Sequence, residues 1–232
     1  SDNLQDFFAN VVPTGLKIIP VLTSHTGIPN SVYNIALTPN PAYQTRTNFI
    51  NRMGDVMNLL TPYKSKIAMW EIINEPNLSM GINVSAQNIR DLLELYYDLV
   101  KTKDTTVPVG VSHQSPVFFL YHSALIDGTA DVIQYHFYGQ TPFFPNSSTP
   151  LGVIPEVMQL PCVMGEGRYV DGANDPIINK PYLEEANNIY YALGFEGFYP
   201  WTIKGYGGDN GSSALDLGWN EVEGESYIQN GA

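Results

Sequence analysis

Apolar residues in this chain fall into runs of two kinds, and the two kinds alternate. Six runs are short and mostly apolar: Lys17 to Leu22, Ile67 to Ile73, Val107 to Val111, Asp131 to Phe137, Pro161 to Met164 and Phe195 to Trp201. Runs of this length read as strands buried on both faces. Pro20 and Pro108 weaken two of these assignments, because proline has no N–H to give to a ladder. Between the runs, apolar positions recur at helical spacing. Leu4, Phe7, Phe8 and Val11 form one set, and Phe49, Met53, Val56, Met57 and Leu60 a second. Ile89, Leu92, Leu93, Tyr96 and Val100 form a third, and Leu183, Ala186, Ile189, Tyr190 and Leu193 a fourth. Shorter helices are expected between Val111 and Asp131 and from Ile154 to Leu160. Buried strands alternating with one-sided helices predict an α/β fold of parallel strands covered by helices.

Two parallel architectures fit that alternation. Glu75 and Glu166 close two of the runs, and three strand–helix units of about 30 residues separate them, the repeat of a (β/α)8 barrel. A doubly wound sheet has similar spacing but more often carries a glycine-rich phosphate turn after its first strand, and Thr23-Ser24-His25-Thr26-Gly27 is no such turn. Candidate functional residues also end nearly every run, which favours a barrel, where all strand C-termini face one mouth. A full barrel has eight strands, and the shortfall is at the front, where the chain begins on a helix. The expectation is one domain, residues 1–232, forming a (β/α)8 TIM barrel that lacks its first two strands. The opening Ser1-Asp2-Asn3 shows neither an initiator Met nor a signal-peptide pattern, as in a mature product or an excerpt.

Each of the two glutamates ends an apolar run and is followed at once by a turn residue: Glu75 in Trp70-Glu71-Ile72-Ile73-Asn74-Glu75-Pro76, and Glu166 in Val163-Met164-Gly165-Glu166-Gly167. A carboxylate at the end of a buried strand is costly unless something needs it. Two of them point to paired-carboxylate chemistry of the kind glycoside hydrolysis uses. One acid protonates the leaving oxygen, and a second carboxylate acts on the opposite face of the sugar. Their environments must hold the two pKa values apart. Asn74 offers a donor for a sugar hydroxyl, and Gly165 and Gly167 let a sugar or a side chain approach the backbone closely. Strand alternation puts Glu71 on the same side as Ile73 and Glu75, so Glu71 reads as a structural carboxylate in need of a hydrogen-bond partner.

Trp-Glu-Ile-Ile-Asn-Glu-Pro resembles the fourth-strand signature of glycoside hydrolase clan A, the large group of (β/α)8 retaining glycosidases, in the manner of family 5 or family 39. The resemblance implies that Glu75 is the acid/base and that Asn74 binds the sugar 2-hydroxyl. Met164-Gly165-Glu166 is similar to the seventh-strand motif, which would make Glu166 the nucleophile. Gln134-Tyr135-His136-Phe137-Tyr138 resembles the sixth strand, whose His and Tyr flank the nucleophile, here His136 and Tyr138. Tyr199-Pro200-Trp201 resembles the eighth strand, with Trp201 as the floor of the site. The six visible runs then correspond to strands 3–8. The chain departs from that pattern in two places. It has no second strand to bring the clan's Arg, for which Arg168 is a partial substitute or a surface residue. It also has Gly167 where an aromatic residue often follows the nucleophile, with Tyr169 further on.

His25 ends the first visible run, where the clan commonly has a sugar-binding His, and His113 ends the Val107–Val111 run and points at the same mouth; His122 lies in a helix-like stretch and reads as structural. No His-Glu-x-x-His or carboxylate cluster has ligand spacing, so neither a metal nor a cofactor is expected. The segment from Gly27 to Arg46 is too long for an ordinary connection and carries Tyr33 and Tyr43. It reads either as a cleft wall with aromatic stacking surfaces or as a plain excursion. Trp219 is a further candidate platform.

Charge narrows the partners. With 11 basic and 23 acidic residues the formal net charge is −12, which argues against nucleic acid and anionic membranes and suits a neutral glycan. The longest apolar runs are far too short to span a bilayer. The single Cys162 excludes an internal disulfide and a Cys-based zinc site, and reads as a small core residue. The expected function is retaining hydrolysis of a β-linked neutral poly- or oligosaccharide, in a secreted or extracellular setting. The alternative is a carbohydrate-binding pseudoenzyme on the same barrel, and a weaker third is an α/β enzyme with an unrelated carboxylate pair.

Overall fold

The computed structural model describes residues 2–11, 15, 17–37, 45–114, 127–137, 153–167 and 187–200. The chain divides into two compact units, Ser1–Ile133 and Gln134–Ala232. The first holds helices α1 (Asp2–Asp6), which runs on into a π-helical turn, α2 (Asn30–Tyr33), α3 (Arg46–Leu60) and α4 (Ala86–Lys103), with strands β1 (Trp70–Glu71) and β2 (Val109–His113). Strand β3 (Val132–Phe137) begins in the first unit and ends in the second. There α5 (Val153–Met158), β4 (Cys162–Gly167), a helix over 187–192 and β5 (Phe198–Pro200) follow. The helix expected between Val111 and Asp131 falls largely outside the described residues.

Helix α4 shows how the pattern becomes structure. Its stripe Ile89, Leu92, Leu93, Tyr96 and Val100 is wholly buried, as the helical period requires. Each such burial is worth about 1.5–3 kcal/mol. The helix starts on a capping box in which the Ser85 hydroxyl accepts from the Asn88 N–H and the Asn88 side chain accepts from the Ser85 N–H. It ends at Asp104, whose carboxylate accepts from the N–H groups of Thr106 and Val107, from the Thr106 hydroxyl and from the Trp70 indole. That last bond ties the helix end to the strand it covers. Helix α3 buries Met57 and Leu60 of its predicted stripe, together with Gly54, and leaves Met53 and Val56 half-buried.

The strands of the first unit are parallel, with Trp70 opposite Val109 and Glu71 opposite Gly110. Asp131 locks the next connection. Its N–H donates to the Val109 carbonyl, while its carboxylate takes the Val109 N–H, the Tyr97 hydroxyl and the Lys101 ammonium. The run from Lys17 to Leu22 forms no continuous strand. Two isolated parallel bridges join it to the β1 segment, Ile18 with Ile67 and Val21 with Glu71, and a third follows just past it, Ser24 with Asn74. Pro20 supplies only its carbonyl, which accepts from the Glu71 N–H.

In the second unit β4 and β5 are also parallel, and Tyr135, Ile154, Cys162, Met164, Tyr190 and Phe195 form the core. Tyr190 and Phe195 meet edge to face at 6.0 Å. Cys162 is the core residue its apolar run predicts. Burial, and then the charge of Glu196, pushes its thiol up to about 12, so it stays neutral and inert.

Candidate active site

Glu75 stands where β1 runs out, and the backbone there departs from regular strand. Trp70 and Ile72 donate their N–H groups to Pro108 and Gly110 on the β2 side, and Glu71 donates to Pro20 on the other. Regular alternation would send Asn74 back toward β2. Instead the Asn74 N–H donates to Thr23, and the Glu75 N–H turns to the Ser112 side chain at 3.1 Å. The ladder has slipped by one residue, as the three-residue step between the bridges at Glu71 and Asn74 also shows. Glu75 absorbs the turn with φ 53 and ψ 48, a left-handed conformation that costs a non-glycine residue of order 1–3 kcal/mol. Pro76 then begins a short 3-10 turn, closed by the Leu78 N–H on the Glu75 carbonyl.

The slip gives Glu71 and Asn74 a common partner. The Ser112 hydroxyl, on β2, lies 2.6 Å from Glu71 Oε1 and 3.1 Å from Asn74 Oδ1. Glu71 is thus the structural carboxylate expected of it, and Ser112 is its partner. Strict alternation does not run through to Glu75, because residues three apart share a face here. Both Glu71 and Ser112 are buried, whereas Asn74 and Glu75 are half exposed and reachable by a ligand.

His25 joins the same end of the first unit, where its N–H donates to the Asn74 carbonyl at 3.1 Å. His113, the last residue of β2, is fully buried. Tyr33 is also fully buried, so it is core and not a stacking surface. Burial raises its phenol to about 12, softened by Ser79. Burial likewise raises Tyr96, against a lowering bond from Thr23, so neither phenol is a proton donor at neutral pH. The Arg46 guanidinium donates to the carbonyls of Val32 and Tyr33, pinning the long connection to α2.

In the second unit His136 is buried on β3. The backbone of Glu166 lies in β4, on the stretch between Met164 and Gly167 where the pairing with β5 shifts register. The shift there parallels the slip before Glu75: both candidate carboxylates stand on irregular strand ends, and such irregularities are over-represented beside active sites. Gly165 admits the Gln134 side chain, a close approach of a neighbouring side chain to the backbone. The side chain of Glu166 and all of Tyr138, Trp201, His122, Arg168, Tyr169, Tyr43 and Trp219 lie outside the described residues.

The residue missed by sequence reasoning is Ser112. A lone hydroxyl in Val109-Gly110-Val111-Ser112-His113, one strand on from a lone buried carboxylate, was the available signal. Among the described residues no group of three or more His, Cys, Asp or Glu side chains has the arrangement to hold a metal ion. No helix among them is long and apolar enough to cross a membrane.

No protein-family model matches the chain, and no curated protein sequence does. Solved structures do. The β-1,4-D-mannanase from Cryptopygus antarcticus superposes with a TM-score of 0.65 at 15% identity, covering 96% of this chain and 72% of the mannanase. The endo-1,4-β-mannanase from Eisenia fetida gives 0.63 at 16%, covering 96% and 70%. The hyperthermostable endo-1,4-β-D-mannanase from Thermotoga petrophila RKU-1 gives 0.60 at 17%, covering 98% and 78%. At such identities the likeness is one of fold. The chain has the (β/α)8-barrel architecture of these glycosidases, in the incomplete form that its six recognisable strand runs predict.

Proposed function

We propose that the protein is a retaining glycoside hydrolase acting on a β-linked neutral polysaccharide or oligosaccharide, with residues 1–232 serving as one barrel domain. Glu166 attacks the anomeric carbon and forms a glycosyl-enzyme, while Glu75 protonates the departing oxygen and later takes a proton from the incoming water. Asn74 holds the sugar 2-hydroxyl, His25 and Tyr138 line the subsite, Trp201 is its floor, and the buried His113 and His136 support it from beneath. Such a mechanism needs carboxyl groups about 5–5.5 Å apart, and no metal or cofactor.

The observation that carries this reading is Glu75 itself. It is a half-exposed carboxylate held at a strand end in a left-handed backbone beside Asn74, and strained residues cluster where chemistry needs them. Its setting, a barrel fold shared with β-1,4-mannanases, makes β-1,4-mannan the first substrate to try. A polysaccharide substrate and a net charge of −12 both fit an extracellular setting without nucleic-acid or membrane partners.

The test is a screen of the purified chain against β-linked glycans, mannan first, with Glu166→Gln as control. Cleavage by the wild type that Glu166→Gln abolishes supports the enzyme. Binding without cleavage by both supports the second reading, a carbohydrate-binding pseudoenzyme on the same barrel.

A further inference from the structure

Glu71 is a carboxylate that the proposed chemistry does not use, yet it is only 4% exposed. Burying it there costs several kcal/mol unless its oxygens are served. One is served by Ser112, itself 0% exposed, at 2.6 Å. A hydroxyl has one proton, and this short bond to Glu71 takes it. The Ser112 oxygen is then left as an acceptor, and the Glu75 N–H donates to it at 3.1 Å. Asn74 Oδ1 lies 3.1 Å from the same hydroxyl, as a second acceptor in reach of its proton. With its proton committed to a carboxylate, the hydroxyl is polarised toward accepting.

Glu75 has the left-handed backbone that a non-glycine residue keeps only where its surroundings hold it. Its N–H bond to Ser112 is such a restraint, and it replaces the main-chain acceptor lost at the slip of the ladder. We propose that Glu71 and Ser112 are positioning residues, a buried carboxylate–hydroxyl pair that fixes the backbone of Glu75 and so the angle at which its carboxyl offers a proton to the leaving oxygen. This rests on the glycosidase reading above. Neither residue touches substrate. Both act through Glu75, with Asn74 Oδ1 beside the same hydroxyl.

Leaving groups separate positioning from mere support. General-acid help matters for a poor leaving group and hardly at all for a good one, and kcat/KM reports the first glycosyl transfer. Wild type, Ser112→Ala and Ser112→Thr are compared on the phenyl and 2,4-dinitrophenyl β-glycosides of the sugar or oligosaccharide that the wild type accepts. For Ser112→Ala the expected loss in kcat/KM is roughly 10-fold or more on the phenyl glycoside and within about threefold on the dinitrophenyl one, a fraction of the 10²–10⁴ that a general acid contributes. Ser112→Thr restores the hydroxyl and recovers most of the loss. Glu71→Gln, which keeps an acceptor for the Ser112 proton, falls between. If Ser112→Ala does not fold, Ser112→Cys takes its place with the same selective loss expected. Equal losses on both glycosides mean a structural role only and overturn the proposal while leaving the glycosidase reading intact. A wild type that cleaves neither glycoside nor any glycan overturns that reading, and the positioning role with it.

Discussion

The side chain of Gln134 occupies the space in which a Cβ on Gly165 would stand: its Oε1 lies 2.6 Å from that point and its own Cβ 2.9 Å. The amide end can rotate away, but the Gln134 Cβ is fixed to the strand. Gly165→Ala is therefore expected to destabilise the protein by about 1–3 kcal/mol, the cost of overpacking a well-filled interior. Gly27→Ala is the control, since nothing lies within 4 Å of its Cβ position; it should change stability by no more than about 0.5 kcal/mol. Urea unfolding of both variants measures the difference. Equal stabilities would mean that β3 and β4 are further apart than the structure has them.

The backbone of Glu75 makes its own prediction, independent of any activity. Glycine adopts a left-handed conformation freely, whereas alanine carries the Cβ penalty. Glu75→Gly should then be more stable than Glu75→Ala by about 1 kcal/mol, the reverse of their order at ordinary strand or helix positions. Denaturant midpoints of the two variants check this. Should alanine prove the more stable, the left-handed turn at φ 53 is not the resting conformation.

These two sites also mark what the sequence made legible and what it did not. A helical stripe repeats its signal at every turn, so the five buried residues of α4 could be read without knowing their partners. Glu75 stood out as a candidate by a local signal too, a carboxylate ending an apolar run before a proline. Ser112 was not, because its importance comes from Glu71, 41 residues away on the neighbouring strand. The slip of the ladder before Asn74 is equally silent, since period-two alternation has no way to announce one extra residue. Of the two readings of the segment that carries Tyr33, a cleft wall with stacking surfaces or a plain excursion, neither foresaw its burial, for a related reason. An aromatic residue in a long polar connection looks exposed until a helix such as α4 is known to cover it.

Asp131 predicts how stability responds to acid. Burial is the largest influence on its carboxyl and raises its pKa. The bonds from Lys101, the Val109 N–H and Tyr97, with the Lys101 charge, outweigh it and hold the pKa below the ordinary value. A carboxylate depressed in the folded state adds stability above its unfolded pKa and loses it as pH falls through the folded value. Stability should therefore be level near neutrality and decline from about pH 4 downward. Asp104 acts in the same sense, its burial likewise outweighed by bonds from Thr106, Trp70 and Val107. Asp131→Asn should lose about 1–3 kcal/mol at pH 7, and its deficit should shrink below pH 4. Urea unfolding from pH 3 to 7 reads both curves. A deficit that stays constant with pH would mean that the charge of Asp131 is not what the fold uses.

Stereochemistry gives the most direct test of the proposed division of work between Glu75 and Glu166. If Glu166 forms a covalent glycosyl-enzyme and water then attacks from the face the leaving group vacated, the first-formed sugar keeps the β-configuration. If both carboxylates instead act on one water-filled step, the product is inverted. Proton NMR of the anomeric signals within the first minutes of turnover, before mutarotation mixes them, separates the two. Retention is expected. It should be accompanied by losses in kcat of at least about 10²-fold for Glu75→Ala on a natural glycan, the usual size of general acid–base catalysis. Azide should restore turnover of an activated aryl glycoside by Glu75→Ala and yield a β-glycosyl azide, because the small anion needs no base to attack the glycosyl-enzyme. An α-configured first product would remove Glu166 from the role of nucleophile. Turnover that survives Glu75→Ala unchanged would remove Glu75 from the chemistry.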